Sequence, residues 1–95
     1  MMLSKEDQLY DEQWDLVDTF YNTNGLEAFD AVVTPEEAKA LKSYYFVNSQ
    51  VQDVYEYRKR LTTADPELVR IALAAARKIA KADGLTDEEI AELFI

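Results

Sequence analysis

Carboxylate side chains recur near the amino end of the chain at intervals of three or four residues. Asp7, Asp11, Asp15 and Asp18 follow this spacing, and Glu12 lies beside them. On a helix the spacing places one carboxylate about every 6 Å, which is comparable to the spacing of phosphates along a nucleic-acid strand. The row of acids is interpreted either as a solvated helix face or as a nucleic-acid mimic that enters the cationic groove of a partner protein.

The same acids are poorly arranged for metal binding or catalysis. A straight helix points neighbouring carboxylates in parallel and not toward one centre, although Mg²⁺ and Ca²⁺ prefer oxygen ligands. The chain has no histidine and no cysteine, so it lacks the commonest metal ligand, the usual base near neutral pH and thiolate chemistry. Because no motif sets a nucleophile beside a base, we expect no catalytic residues, no metal, no cofactor and a function that is not enzymatic.

The net charge of -9 is concentrated at one end of the chain. Residues 1–37 hold ten acids against Lys5 alone, whereas residues 38–95 hold nine acids and nine bases. A molecule of this sign repels nucleic acid and anionic membranes, so we expect its partner to be another protein that is basic and, in the sharper interpretation, nucleic-acid-binding. The absence of a long apolar run and of a cationic amino end predicts a soluble, cytoplasmic chain.

The acids belong to a predicted amphipathic helix over residues 5–23. Ser4 is a suitable N-cap, and Asn24-Gly25 supplies a residue that can leave the helical conformation. Residues 26–33 fit a helical turn or an extended segment equally well. The apolar face opposite the acids comprises Leu9, Leu16, Val17, Phe20 and Tyr21, extended by Tyr10 and Trp14.

A second helix is predicted over residues 35–61, because Thr34, Pro35 and Glu37 form a capping box with proline at the first helical position. Residues 43–60 also permit a β-hairpin turned at Asn48-Ser49, but helical periodicity fits them better, with a break near 48–49 left open. The helical stripe comprises Ala40, Tyr44, Val47, Val51, Val54, Arg58 and Leu61.

Two aromatic residues of this second helix are candidate anchors for a partner. On a continuous helix Phe46 and Tyr57 fall together on the side away from the stripe, where solvent is expected. They are interpreted either as interface anchors or as residues buried by neighbours or by a break in the helix. Arg58, Lys59 and Arg60 follow, in the positions where cations complement a helix dipole and offset the acidic first helix.

Helices are further predicted over residues 66–82 and 87–95, started by Asp65-Pro66 and by a capping box at Thr86. The sequence "IAKADGLTDEEIAEL" across their junction resembles a DNA-binding helix-turn-helix, but its second helix carries only acids, which disfavours phosphate contact. The fold expected is all-α: one domain, residues 1–95, forming a bundle of four or five helices around a central helix over residues 35–61.

These features predict a non-catalytic protein-binding module. The sharper hypothesis is a stoichiometric inhibitor that presents the acids of the first helix to a basic, nucleic-acid-binding protein. Small phage and mobile-element antagonists of host defence or transcription are similar in size and charge. Two alternatives are a homodimeric structural or assembly subunit, paired through the stripe of helix 35–61, and a degenerate helix-turn-helix regulator.

Overall fold

Five helices make up the part of the chain that the computed structural model describes, residues 4–45 and 53–94. The predicted all-α bundle is therefore confirmed, in its five-helix form. The helices are α1 (Lys5–Val32), α2 (Pro35–Tyr44), α3 (Val54–Ala64), α4 (Pro66–Ala82) and α5 (Asp87–Leu93).

The predicted helix starts are confirmed, because each N-cap side chain accepts a hydrogen bond from the first turn of its helix. The Ser4 hydroxyl accepts from the backbone N–H of Asp7 at 3.2 Å, and the Asp65 carboxylate accepts from that of Leu68 at 3.1 Å. Thr34 and Thr86 form complete capping boxes with glutamates three residues later. These contacts satisfy backbone donors that have no partner inside the helix.

Gly25 interrupts α1 with a backbone conformation that other residues rarely adopt. Its φ of 87° and ψ of 173° are non-helical, and helical geometry resumes after it as far as Val32. Only glycine visits this region readily, because a side chain would clash with its own backbone there. The predicted stop at Asn24-Gly25 is confirmed as a kink, and residues 26–32 take the helical alternative.

The helix predicted over residues 35–61 is confirmed in its broken form and not as one continuous helix. α2 ends at Tyr44, and α3 begins again at Asp53, whose carboxylate accepts from the backbone N–H of Tyr55 at 3.0 Å and of Glu56 at 3.2 Å. The hairpin is wrong in its second strand, since residues 54–57 are helical. The predicted turn or break at 48–49 lies outside the described residues.

The central element is α4 and not the predicted helix 35–61. α4 packs against each of the other four helices, and its buried side is rich in alanine, whose small side chain lets neighbouring backbones approach closely. The buried residues of α4 are Val69, Ala72, Ala75, Ala76, Ile79 and Ala80.

The chain end is fixed by a tight corner between α4 and α5. Gly84, at φ 95°, follows α4, and the Leu85 N–H donates to the Ala80 carbonyl at 3.1 Å, as in a glycine-terminated helix end. Phe94 then returns to the core with 7% of its surface exposed, and the Arg77 guanidinium lies 5.6 Å from its ring centre. The docked end therefore stabilises a helix too short to persist alone.

Candidate functional site

The buried side of α1 differs from the predicted one at several positions. Tyr21, predicted apolar, keeps 39% of its surface exposed, whereas Gln13 is 7% exposed. Leu9 and Leu16 are only half-buried. The fully buried positions on the first part of the helix are Asp7, Tyr10, Gln13, Val17 and Phe20.

Burial also removes Asp7 from the solvated row of acids, which corrects the prediction for that residue. Asp7 lies at the edge of the buried side, with its carboxylate oxygen Oδ1 3.1 Å from the Arg58 nitrogen Nη2 on α3. Asp11 is half-buried, and its Oδ2 accepts from the Tyr55 hydroxyl at 2.8 Å. Asp7 and Asp11, the first two acids of the predicted row, therefore hold α3 against α1.

Arg58 occupies a pocket built from both charged and aromatic groups. Its guanidinium carbon lies 5.7 Å from the centre of the Tyr10 ring, and Glu6 lies 3.8 Å from its Nη2. Burial alone lowers the pKa of an arginine, but hydrogen bonding to Tyr44 and Asp7 outweighs it here and raises the pKa. The guanidinium thus stays charged, and its Nε is buried without a partner among the described residues.

Buried tyrosines extend this polar network into the core, a feature that the sequence interpretation missed. The Tyr10 hydroxyl donates to the Tyr44 carbonyl, and the Tyr45 hydroxyl donates to Gln13 Oε1 at 2.7 Å. Gln13 Nε2 in turn donates to the Leu93 carbonyl at 2.8 Å, joining α1 to α5. The sequence did contain one indication that Gln13 is buried, because Gln13 falls on the same helix side as Tyr10 and Val17.

The tyrosine hydroxyls of this network are held in their neutral form. Burial raises the pKa of Tyr10, Tyr44 and Tyr45 above that of a free phenol. The hydrogen bond to the Asp11 carboxylate raises the pKa of Tyr55, since it favours the protonated phenol. These groups are positioned as structural hydrogen-bond donors.

The remaining predicted acids are free of ion pairs. Glu12 and Asp15 are exposed and Asp18 is half-exposed, and in the part of the chain that the structure describes no lysine or arginine lies within 4.0 Å of their carboxylates. We call these three residues the acidic face. It is the part of the predicted row that stays available to a partner.

The two predicted aromatic anchors have different outcomes. Phe46 lies outside the described residues. Tyr57 is half-buried, and its hydroxyl donates to the Ser43 carbonyl at 3.2 Å, which ties α3 to the end of α2. The expectation that both residues face the same solvent-exposed side assumed a continuous helix. Because α2 and α3 are separate helices, that assumption does not hold.

Two other large apolar side chains are exposed beside the kink of α1. Tyr21 and Leu26 keep 39% and 56% of their surfaces exposed. A groove of about 360 Å³ runs past this point. Its lining residues are Asp18, Tyr21, Asn22, Phe29 and Lys42.

The structure describes part of the stripe predicted to pair with a second copy, and it describes the corner that resembles a helix-turn-helix. Ala40 and Tyr44 of the stripe are 3% and 4% exposed, so they pack inside the chain's own core. At the corner, α5 has only seven residues. Its exposed acids are Asp87, Glu88, Glu89 and Glu92.

Residues 4–45 and 53–94 contain neither a metal-binding cluster nor a membrane-spanning helix. No three acidic side chains there converge closely enough to hold a metal ion. None of the helices in those ranges has the length and apolar character needed to cross a bilayer.

Comparisons with protein-family models, with curated proteins and with solved structures found no match.

Proposed function

We propose that this chain is a non-catalytic protein-binding module whose acidic face binds a basic protein and competes there with nucleic acid. The observation that carries the proposal is the exposure of Glu12, Asp15 and Asp18 along one helix without ion-pair partners in the described structure. Carboxylates held along a helix present negative charge at intervals similar to phosphates, and a cationic groove attracts both.

The distribution of charge supports this assignment. No lysine or arginine occurs between Lys5 and Lys39, so Lys5, at the first position of α1, is the single cation on the helix that carries the acidic face. Some exposed acids on other helices do pair with neighbouring bases, as Glu67 does with Arg70 and Glu56 with Arg60. An uncompensated patch accelerates association with a cationic surface and repels nucleic acid itself.

The cover provided by α3 limits the proposed binding surface. Asp7 and Asp11 contact Arg58 and Tyr55 of the same chain, so they contribute less to binding than the acidic face does. A solvated carboxylate loses less free energy on binding a partner's cation than a carboxylate that must first break a contact within its own chain. The surface therefore consists of Glu12, Asp15 and Asp18, continued toward the kink by Tyr21 and Leu26.

The test is capture followed by competition. The immobilised full chain is exposed to nuclease-treated bacterial lysate, captured proteins are eluted with increasing salt, and each is tested for displacement from a labelled DNA duplex by fluorescence anisotropy. We expect basic, nucleic-acid-binding proteins that elute at moderate salt and that release the duplex when the chain is added in equimolar amount.

A matched pair of triple variants assigns the effect to the acidic face. Replacing Glu12, Asp15 and Asp18 with their amides is expected to weaken binding by about tenfold, because each lost rim charge contributes roughly 0.5 kcal/mol. The control removes the same charge through Glu36→Gln, Glu56→Gln and Glu67→Gln, which are exposed on other helices, and is expected to bind as the unaltered chain does.

Two results contradict the proposal. Equal weakening by both triple variants shows that only net charge matters and that no surface is specific. Captured proteins that keep their DNA show that the chain binds without mimicking nucleic acid. Sizing chromatography of the chain alone runs beside these assays, since a salt-resistant dimer favours the assembly alternative.

A further inference from the structure

An arginine is already bound by α1 within this structure. Asp7 and Tyr10 lie three residues apart on the same helix, and Arg58 of α3 contacts both: its Nη2 is 3.1 Å from the Asp7 carboxylate, and its guanidinium carbon is 5.7 Å from the Tyr10 ring centre. A carboxylate beside an aromatic ring suits a guanidinium, whose edge donates hydrogen bonds while its face meets the ring.

The same residue pair recurs further along the helix. Asp18 and Tyr21 are also three residues apart, each eleven positions after its counterpart. Eleven residues make about three helical turns, so the second pair lies on nearly the same side of α1, roughly 16 Å away. The two pairs therefore present a carboxylate and a phenol in the same relative arrangement along the helix.

The second pair is open to solvent. Asp18 has no lysine or arginine within ion-pair distance in the described residues, and it lines the groove of about 360 Å³ together with Tyr21 and Asn22. Tyr21 packs edge-on against Phe29, with ring centres 5.4 Å apart at 79°. That contact holds the Tyr21 ring in place while 39% of the residue stays exposed.

We propose that the groove at Asp18 and Tyr21 receives one arginine side chain of the partner protein, as Asp7 and Tyr10 receive Arg58. This inference rests on the proposed function and names the anchor of that interface. The guanidinium donates to the Asp18 carboxylate and lies against the Tyr21 ring, and the Asn22 side-chain carbonyl is a further acceptor on the groove wall. The Asp18 carboxylate on the groove wall favours a cation over a neutral apolar side chain.

Lys42 forms another wall of the groove and opposes a second cation. Its side chain is exposed and has no ion pair among the described residues, so it can swing aside at the cost of some repulsion. Lysine is therefore a weaker ligand than arginine here, because its compact ammonium lacks the flat face that meets the ring and the fork that matches a carboxylate. Removing the Lys42 charge should strengthen arginine binding.

The test uses the full chain labelled with ¹⁵N and titrated with Nα-acetylarginine amide, followed by amide chemical shifts. We expect saturable shifts centred on Asp18, Tyr21 and Asn22. Asp18→Asn should weaken binding by about tenfold, the scale of a charge-assisted hydrogen bond, and Lys42→Gln should strengthen it by about twofold. Asp15→Asn, which removes the same charge one turn away, should change it by less than about twofold.

Two further small molecules, a lysine and a norleucine derivative, test which side chain the groove binds. Nα-acetyllysine amide is expected to bind more weakly, and Nα-acetylnorleucine amide is expected to give no saturable shifts. Equal binding of the lysine probe overturns arginine selectivity, and equal binding of the norleucine probe shows an apolar groove. Tyr21→Phe keeps the ring and should keep binding, whereas Tyr21→Leu should weaken it; thermal melts confirm that both variants fold.

The outcome separates this inference from the proposed function. Equal and small effects of Asp18→Asn and Asp15→Asn overturn the arginine groove but leave salt-dependent capture of a basic partner intact. Loss of capture altogether contradicts the proposed function, whatever the small probes do.

Discussion

The amino-terminal and middle turns of α1 carry the same kind of residue pair in two different environments. Asp7 and Tyr10 are covered by α3, and Arg58 neutralises the carboxylate. Asp18 and Tyr21, three turns further on, remain partly exposed to solvent, and in the described residues no lysine or arginine pairs with Asp18. One helix thus uses a similar pattern first to hold its own fold together and then to present an open surface.

The difference shows that the position of a neighbouring helix, and not the pattern along α1, decides which acids are free. A carboxylate that faces water keeps its hydration and exerts its charge on a partner, whereas one covered by another helix needs a cation to offset desolvation. Changes at the covered pair should therefore alter stability, and changes at the open pair should alter binding.

Alkaline pH should have the largest effect on the covered region. Burial raises the pKa of Tyr10, Tyr44 and Tyr45, so the folded chain keeps three protons that the unfolded chain releases above pH about 10. Stability is complete below that pH and falls as pH rises, by about 3 kcal/mol for Tyr10 and Tyr45 together at one unit above it. Urea unfolding between pH 8 and 11 measures this loss of stability, and absorbance at 295 nm follows the ionisation of the tyrosines. A free energy of unfolding that does not change with pH would contradict the neutral state of the buried tyrosines.

Removing the covered carboxylate should have the next largest effect. Asp7→Asn leaves Arg58 buried beside a neutral amide, and we expect a loss of about 2 to 3 kcal/mol in the free energy of unfolding, because breaking a buried ion pair leaves one charge uncompensated. Asp18→Asn is the matched control and should change stability by less than about 0.5 kcal/mol. Urea unfolding at pH 7 distinguishes them, and equal losses would break the comparison between the two pairs.

Local rules account for what the sequence could predict. Ser4, Thr34, Asp65 and Thr86 start helices because their side chains bond to the next turn, and such contacts span only three residues. The contact between Arg58 and Asp7 spans 51 residues. Nothing in the pattern around Arg58 separates a cation at a helix end from a cation buried against another helix, so the cover over Asp7 could not be predicted.

The candidate site, like the fold, could be predicted from the sequence only in part. The acids of α1 follow from composition and spacing, and Glu12, Asp15 and Asp18 do lie accessible to solvent. The burial of Gln13 and the exposure of Tyr21 depend on where along α1 the helices α4 and α5 pack. The periodicity of α1 does not fix this position, because Gln13 and Tyr21 both lie on its broad apolar side.

Replacing Gly25 should reduce stability by an intermediate amount and disturb only the open region around Asp18 and Tyr21. Gly25→Ala meets no atom within 4 Å, so its cost comes from the backbone at φ 87° alone. We expect a loss of about 1 to 2 kcal/mol in unfolding free energy, together with weaker contact between Tyr21 and Phe29 across the kink. Thr23→Ala, at an exposed helical position two residues earlier, should stay within about 0.5 kcal/mol; thermal unfolding of both variants measures the difference.

The smallest expected effect tests how firmly α3 covers the amino-terminal pair. α3 contains no fully buried residue, so its amides should exchange with solvent through local opening and not only through global unfolding. Tyr55→Phe removes the hydrogen bond to Asp11 and should lower the opening free energy by about 0.5 to 1 kcal/mol, which makes exchange across residues 54–64 about two- to fivefold faster.

The amides of α4 should be unchanged in the same hydrogen-exchange experiment, because α4 lies at the centre of the bundle. Tyr21→Phe is the control, since it removes a phenol hydroxyl from the open region and should leave exchange in α3 as it is. Exchange that accelerates equally in α3 and α4 would show that the two helices open together. The cover over Asp7 would then be an integral part of the core, and only complete unfolding would expose that carboxylate to a partner.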